Sequence, residues 1–169
     1  MTKFVRLTAA VAALTLAATP AFAAPVQPDK QATATARVIK PLTLTWVQDL
    51  DLGSITLVGS GATTVGITHA GVFSCPAGNV TCSGTPQVAK YNVTGVNNQV
   101  VTINSGNVSL VNQTDPTKTL LLTVSSPGTV TLANSGAPGT DFSLGGSVTV
   151  DGTTTEGTYQ GTFAVTVNY

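Results

Sequence analysis

The sequence predicts an all-β protein, an antiparallel β-sandwich with Ig-like topology, and three observations point there. First, apolar and polar residues alternate with period two in several segments. The alternation is most regular near the C-terminus, where Tyr159, Gly161, Phe163, Val165, Val167 and Tyr169 share one parity and Thr158, Gln160, Thr162, Ala164, Thr166 and Asn168 the other. Such a segment reads as a strand with one face buried and one face wet. Second, charged residues make up only 8% of the chain, and Thr, Val, Gly, Ser and Asn are abundant. That is the composition of strands joined by tight turns rather than of a disordered chain. Third, no stretch beyond residue 23 carries apolar residues at helical spacing over a useful length.

Residues 1–23 read as a secretory signal peptide. Lys3 and Arg6 form a positive n-region, Leu7 to Ala18 an apolar run, and Ala21-Phe22-Ala23 places small residues where a signal peptidase reads them. The run is shorter than the roughly 20 apolar residues of a membrane-spanning helix. Cleavage after Ala23 is expected, because a cut after Ala24 would put Phe22 at a small-residue position. No second long apolar run follows, so no transmembrane anchor is expected. Residues 24–31, polar and carrying Pro25 and Pro28, read as a flexible N-terminal tail. A single β-sandwich domain is expected over 32–169.

Within that domain, Ala32, Ala34, Ala36 and Val38 alternate with Thr33, Thr35 and Arg37, which predicts a half-buried strand. Pro41 interrupts it and Leu42, Leu44 and Trp46 resume the same parity, giving either one strand broken by a bulge or two strands in succession. Leu50, Leu52, Ile55 and Leu57 predict a strand whose register changes near Gly53. Gly59-Ser60-Gly61 reads as a turn, and Val65–Ile67 and Val72–Phe73 as short strands. Val88 to Val96 and Val100 to Ile103 read as a hairpin about Asn97-Asn98. Val108 to Val111 and Leu120 to Val124 flank Asp115-Pro116, and Val130 and Leu132 precede a Gly/Pro loop. Phe142 to Val150 predicts a strand with a bulge at Gly145-Gly146, and Asp151-Gly152 a hairpin turn.

Few residues carry chemistry. Cys75 and Cys82 are the only cysteines, and in an exported chain an even pair reads as a disulfide. The metal alternative has only His69 to join the two thiols, whereas a structural zinc site takes four ligands. Asp49 and Asp51 share a parity and are the weak candidates for a calcium site, though calcium takes six or more oxygens. His69 is the only histidine, placed in a turn before Ala70-Gly71. Gly59-Ser60-Gly61 lacks the spacing of a nucleophile elbow. No catalytic constellation or cofactor is therefore expected. Asn79, Asn92, Asn107 and Asn112 each begin an Asn-x-Ser/Thr triplet, and such matches arise by chance in so Asn- and Thr-rich a chain. Trp46, Tyr159 and Phe163 fall on apolar parities and are expected in the core. The whole chain has seven Lys and Arg, of which Lys3 and Arg6 precede the cut. Five thus remain against seven acids, a net charge near −2 that excludes a nucleic-acid footprint.

Four segments carry a likeness to a known family. They are Ala32 to Leu44 (ATATARVIKPLTL), Leu50 to Ile55 (LDLGSI), Phe142 to Val148 (FSLGGSV) and Gly157 to Tyr169 (GTYQGTFAVTVNY). They resemble the DUF4402 family of exported bacterial domains, a resemblance that implies export and the β fold and assigns no activity. More distantly, the closing segment is similar to the last strand of chaperone–usher pilins and spore-coat-U-like pilus subunits. That likeness implies an Ig-like sandwich completed by a strand from a neighbour. Under it, Ala32 to Val38 is either the domain's own first strand or the donated one. In the second case its Ala-rich face fills a groove weakly, since burial scales with apolar area.

These readings predict a structural or adhesive protein of the bacterial cell surface, of the pilin-like filament type, that associates with itself or with a surface protein partner. The residues expected at a strand-pairing or assembly edge are Ala32, Ala34, Ala36, Val38, Tyr159, Phe163, Val165, Val167 and Tyr169. The alternative is a monomeric secreted or periplasmic module binding a glycan or a protein, whose mark would be exposed aromatics. The expected location is the periplasm, cell surface or exterior.

Overall fold

A computed structural model describes residues 25–169; the expected signal peptide lies outside them. The described chain is all-β, and all strand pairing is antiparallel. In order, the strands are β1 (Thr43–Gln48), β2 (Ser54–Leu57), β3 (Thr63–Ile67), β4 (Phe73–Ser74), β5 (Val80–Ser83), β6 (Ala89–Thr94) and β7 (Val100–Ser105). Then follow β8 (Val108–Asn112), β9 (Thr119–Ser125), β10 (Thr129–Thr131), β11 (Thr140–Val150), β12 (Tyr159–Gln160) and β13 (Val165–Asn168). The main sheet runs β1-β6-β11-β9-β8-β12, with β3 and β4 attached through β11; β10-β7-β13 forms a second sheet and β2-β5 a two-stranded ribbon.

Strand β11 organises both halves of the core. Its first half pairs with β6, from Thr140 opposite Val93 to Leu144 opposite Ala89. Its second half is flanked by β3 and β9. The first half packs Phe142 and Leu144 with Ala89 and Val93 of β6 against Val101 and Ile103 of β7, joined by Leu132. The second half packs Val148 and Val150 with Val65 of β3 and Leu122 of β9 against Val80 of β5. The second sheet therefore covers one cluster and the ribbon covers the other, which is the layered solution for sheets with one apolar face. Phe163 and Leu50 pack against both clusters.

Four sequence expectations meet a different outcome. The alternation at Ala32–Val38 forms no strand: residues 31–41 have no regular secondary structure and are exposed, Val38 by 90%, and regular pairing begins at Thr43. Alternation sets which face a strand would present, but the apolar area on that face decides whether it docks, and three alanines and one valine offer little.

The hairpin expected between Val88–Val96 and Val100–Ile103 also does not form. A turn is present, with Gln99 N–H donating to Val96 C=O (3.2 Å) and Asn98 at φ 59°. The strands it joins go to opposite layers, so that Val93 and Val101 meet across the core instead of side by side.

Gly145-Gly146 is not a bulge. It is where β11 exchanges partners, and a Cβ on Gly145 would stand 2.0 Å from the carbonyl oxygen of Ile67. Glycine is required there by close backbone approach.

The C-terminal strand is divided. β12 pairs with β8 in the main sheet and β13 with β7 in the second sheet. The pairing register shifts by a single residue between the two halves, so two long strands, β7–β8 and β12–β13, bend together from one sheet into the other. The parity was still correct: Tyr159, Phe163, Val165 and Val167 are half-buried and the intervening residues exposed.

Candidate functional site

Cys75 and Cys82 form the disulfide, with a Cα–Cα separation of 6.3 Å. It joins the end of the short β4 to β5 across seven positions of sequence. Both sulfurs pack against the second core cluster, so the bridge fastens the β2–β5 ribbon to the strands it covers.

The candidate assembly residues fall into two groups. Ala32, Ala34, Ala36 and Val38 lie in the exposed, irregular segment before β1. From Arg37 onward this segment is held at polar points only: Arg37 Nη2 donates to Gln99 Oε1 (3.1 Å), and Lys40 Nζ donates to the Ser135 carbonyl (3.0 Å). Tyr159, Phe163, Val165, Val167 and Tyr169 lie along the bent C-terminal ribbon. β13 is the last strand of its sheet, so its outer edge has no strand partner among the described residues. Val165 and Val167 point into the first cluster. Tyr169 follows the strand: the residue is 49% exposed, while its hydroxyl donates to the Lys40 carbonyl (2.6 Å) and accepts from Val96 N–H (2.9 Å).

Asp49 and Asp51 each have a local partner. Asp49 Oδ1 accepts the indole N–H of Trp46 at 3.0 Å, and Asp51 Oδ1 accepts the amide of Gly53 at 2.8 Å. Among the described residues no three His, Cys, Asp or Glu side chains gather where they would hold a metal ion. His69 sits in its turn, with Gly71 N–H donating to Thr68 C=O. Its Nδ1 lies 3.3 Å from Ser125 Oγ, beside a shallow depression lined by Thr64, Gly66, Ser74, Ser125 and Ser147. No carboxylate hydrogen-bonds the imidazole among the described residues, so the pair lacks the group that would orient the ring as a base.

Trp46 is the main departure from expectation: it is 58% exposed instead of buried. Its parity was read correctly, since Leu44 and Trp46 stand opposite Val93 and Tyr91 of β6. β1 is the outer strand of the main sheet, and its register breaks immediately after, between Trp46 and Gln48. The indole therefore stands at the rim of the core face. Tyr91 in turn stands opposite Phe142 of β11. Trp46, Tyr91 and Phe142 thus make a row across three strands, exposed at one end and 5% exposed at the other. Tyr91 and Phe142 stack with ring centroids 5.6 Å apart. Burial, and then the negative charge of Asp49, push the Tyr91 hydroxyl above its usual pKa.

Asn112, in the sequence no more than the start of an Asn-x-Ser/Thr triplet, is the one fully buried polar side chain of the described core. Its Oδ1 accepts from Thr114 N–H (2.8 Å) and Asp115 N–H (3.2 Å), and its Nδ2 donates to the Glu156 carbonyl (2.8 Å). It ties the β8–β9 turn to the segment entering β12. The other three Asn-x-Ser/Thr asparagines are brackets of the same kind. Asn79 accepts from Gly61 N–H, Asn92 donates to the Pro138 carbonyl, and Asn107 accepts from Val124 N–H.

No curated protein and no solved structure matches the chain. Residues 42–169, from just before β1 to the last residue, match the family described as Domain of unknown function (DUF4402). The match spans β1 to β13, so the LDLGSI, FSLGGSV and GTYQGTFAVTVNY segments all lie within it and ATATARVIKPLTL only by its last three residues. The chain belongs to the DUF4402 family.

Proposed function

We propose that this domain is an exported structural or adhesive unit of the bacterial cell surface, which associates with copies of itself by strand addition in the manner of a pilin-like filament subunit. One observation carries the reading. The alternating segment at Ala32–Val38 is exposed and outside every strand, while β13 has no strand on its outer edge among the described residues. An unpaired strand-like segment and an open edge are complementary: each has the backbone groups that the other lacks. The low charge of the chain leaves little electrostatic opposition to close approach of two copies. The secretory pattern at 1–23 supports a role outside the cytoplasm, where a disulfide persists.

Electron microscopy and sedimentation of the native secreted protein test the reading. Filaments or concentration-dependent oligomers that disappear when Ala36 and Val38 are replaced by proline are expected, because proline removes the ladder N–H. A strictly monomeric product at all concentrations, with no surface association, would overturn it.

A further inference from the structure

We infer that the Tyr169 hydroxyl is a clasp that couples giving and receiving a strand within one subunit. It ties the end of β13, the accepting edge, to the root of the Ala32–Val38 arm. The coupling rests on the strand-addition reading and adds to it a reason for cooperative assembly.

One side chain makes the tie. The Tyr169 backbone directly follows β13. Its hydroxyl donates at 2.6 Å to the carbonyl of Lys40, two residues beyond Val38, and accepts from Val96 N–H at 2.9 Å. The hydroxyl lies over Gly95. A Cβ there would stand 2.7 Å from the hydroxyl oxygen, 2.7 Å from Leu42 Cδ2 and 2.8 Å from Leu132 Cδ1, so glycine is what leaves the seat open. Two further contacts hold the arm root. Lys40 Nζ donates to the Ser135 carbonyl at 3.0 Å, while Ser135 Oγ accepts from Asn97 N–H at 3.1 Å. Arg37 Nη2 donates to Gln99 Oε1 at 3.1 Å. Each of these is a single polar contact of an exposed side chain and is worth little alone. The root is therefore ordered only as far as the Tyr169 seat is.

Order gained at one side of the clasp is shared by the other. A strand added to the outer edge of β13 fixes the backbone through Asn168, and with it the Tyr169 ring. The Lys40 end of the arm is then already ordered, so engaging that arm costs less. By reciprocity, an arm engaged by a neighbour steadies the accepting edge of its own subunit. Assembly then has a sharp onset with concentration.

Tyr169→Phe in the full secreted chain keeps the ring and removes both hydrogen bonds. In dilute solution, NMR should show exchange of the Val96 amide faster by about tenfold, the loss of one hydrogen bond, and a lower heteronuclear NOE at Ile39 and Lys40. Sedimentation across a concentration series should show a sharp onset for the native protein. The variant should assemble gradually, with half-assembly at about tenfold higher concentration. Unchanged Val96 and Ile39 signals would overturn the clasp, since the hydroxyl would then hold nothing. Changed signals with the native onset retained would overturn the coupling and leave strand addition standing. A native protein that stays monomeric throughout would overturn strand addition and the coupling together.

Discussion

Replacing Asn112 with alanine removes three hydrogen bonds at once, because its side chain is fully buried and serves two amides and one carbonyl. The cost follows from what is left behind. Thr114 and Glu156 are exposed residues, so water partly rescues their backbone groups and each loss falls at the low end of the range for an orphaned polar group, about 1 kcal/mol. Three such losses give about 3 kcal/mol. That is a large share of the roughly 5–15 kcal/mol by which domains are stable. For a domain of this size it corresponds to a fall in Tm of roughly 10 °C. Urea titration of Asn112→Ala should show a lower midpoint with an unchanged slope. Asn112→Asp separates bonding from shape. It keeps the acceptor for Thr114 and Asp115 but faces the Glu156 carbonyl with an oxygen, in a buried position that disfavours the charged form. Asn112→Asp should therefore remain less stable than the native protein although its acceptor is retained. An unfolding free energy for Asn112→Ala within about 0.5 kcal/mol of the native protein, the range of ordinary surface substitutions, would refute the bracket.

Three further outcomes follow from other parts of the fold. Replacing Cys75 and Cys82 by alanine reopens a loop of about eight residues, for which chain entropy gives about 2.5 kcal/mol; calorimetry should show a Tm lower by roughly 7 °C, and an unchanged Tm would contradict the ribbon's dependence on the bridge. Gly145→Ala drives a Cβ to within 2.0 Å of the Ile67 carbonyl oxygen and 2.4 Å of the Thr68 carbonyl carbon. It should cost about 3 kcal/mol by denaturant titration, whereas at Gly106, where a Cβ meets nothing within 4 Å, the same change should cost far less. Asp115 and Asp151 accept hydrogen bonds from the hydroxyl and amide of Thr117 and of Thr153, which hold both carboxyls below the usual 3.8. Lowered folded-state values mean that both turns stabilise the fold above pH 3.8 and lose that contribution as the pH falls further. NMR titration of the Thr117 and Thr153 amides should give midpoints below 3.8, and a midpoint at or above it would contradict the assignment.

The strands were legible wherever bulky β-branched or aromatic residues kept one parity, as at Val65–Ile67, Leu120–Val124 and Phe163–Val167. At Ala32–Val38 the same alternation carried too little apolar area to join the domain's own sheets, and a pattern of letters does not record area. Partnership was less legible than strand identity. Nothing in Val88–Ile103 tells that the turn at Asn97-Asn98 delivers its strands to opposite layers, because that depends on where β11 and β13 offer edges. Trp46 had a correct parity and an incorrect burial for a related reason: parity fixes the face, whereas position in the sheet fixes whether anything covers it. The bracing role of Asn112 and the other Asn-x-Ser/Thr asparagines is not visible in the triplets, because a short polar side chain gains its role only when two distant turns meet beside it.

The claim that the Ala32–Val38 segment is an unpaired strand awaiting an edge is tested most directly by amide hydrogen exchange of those residues at low and high protein concentration. Rapid exchange is expected in dilute solution and strong protection at high concentration, together with new protection at the outer edge of Val165–Asn168. Rapid exchange of Ala32–Val38 at every concentration, in preparations that nevertheless assemble, would contradict it.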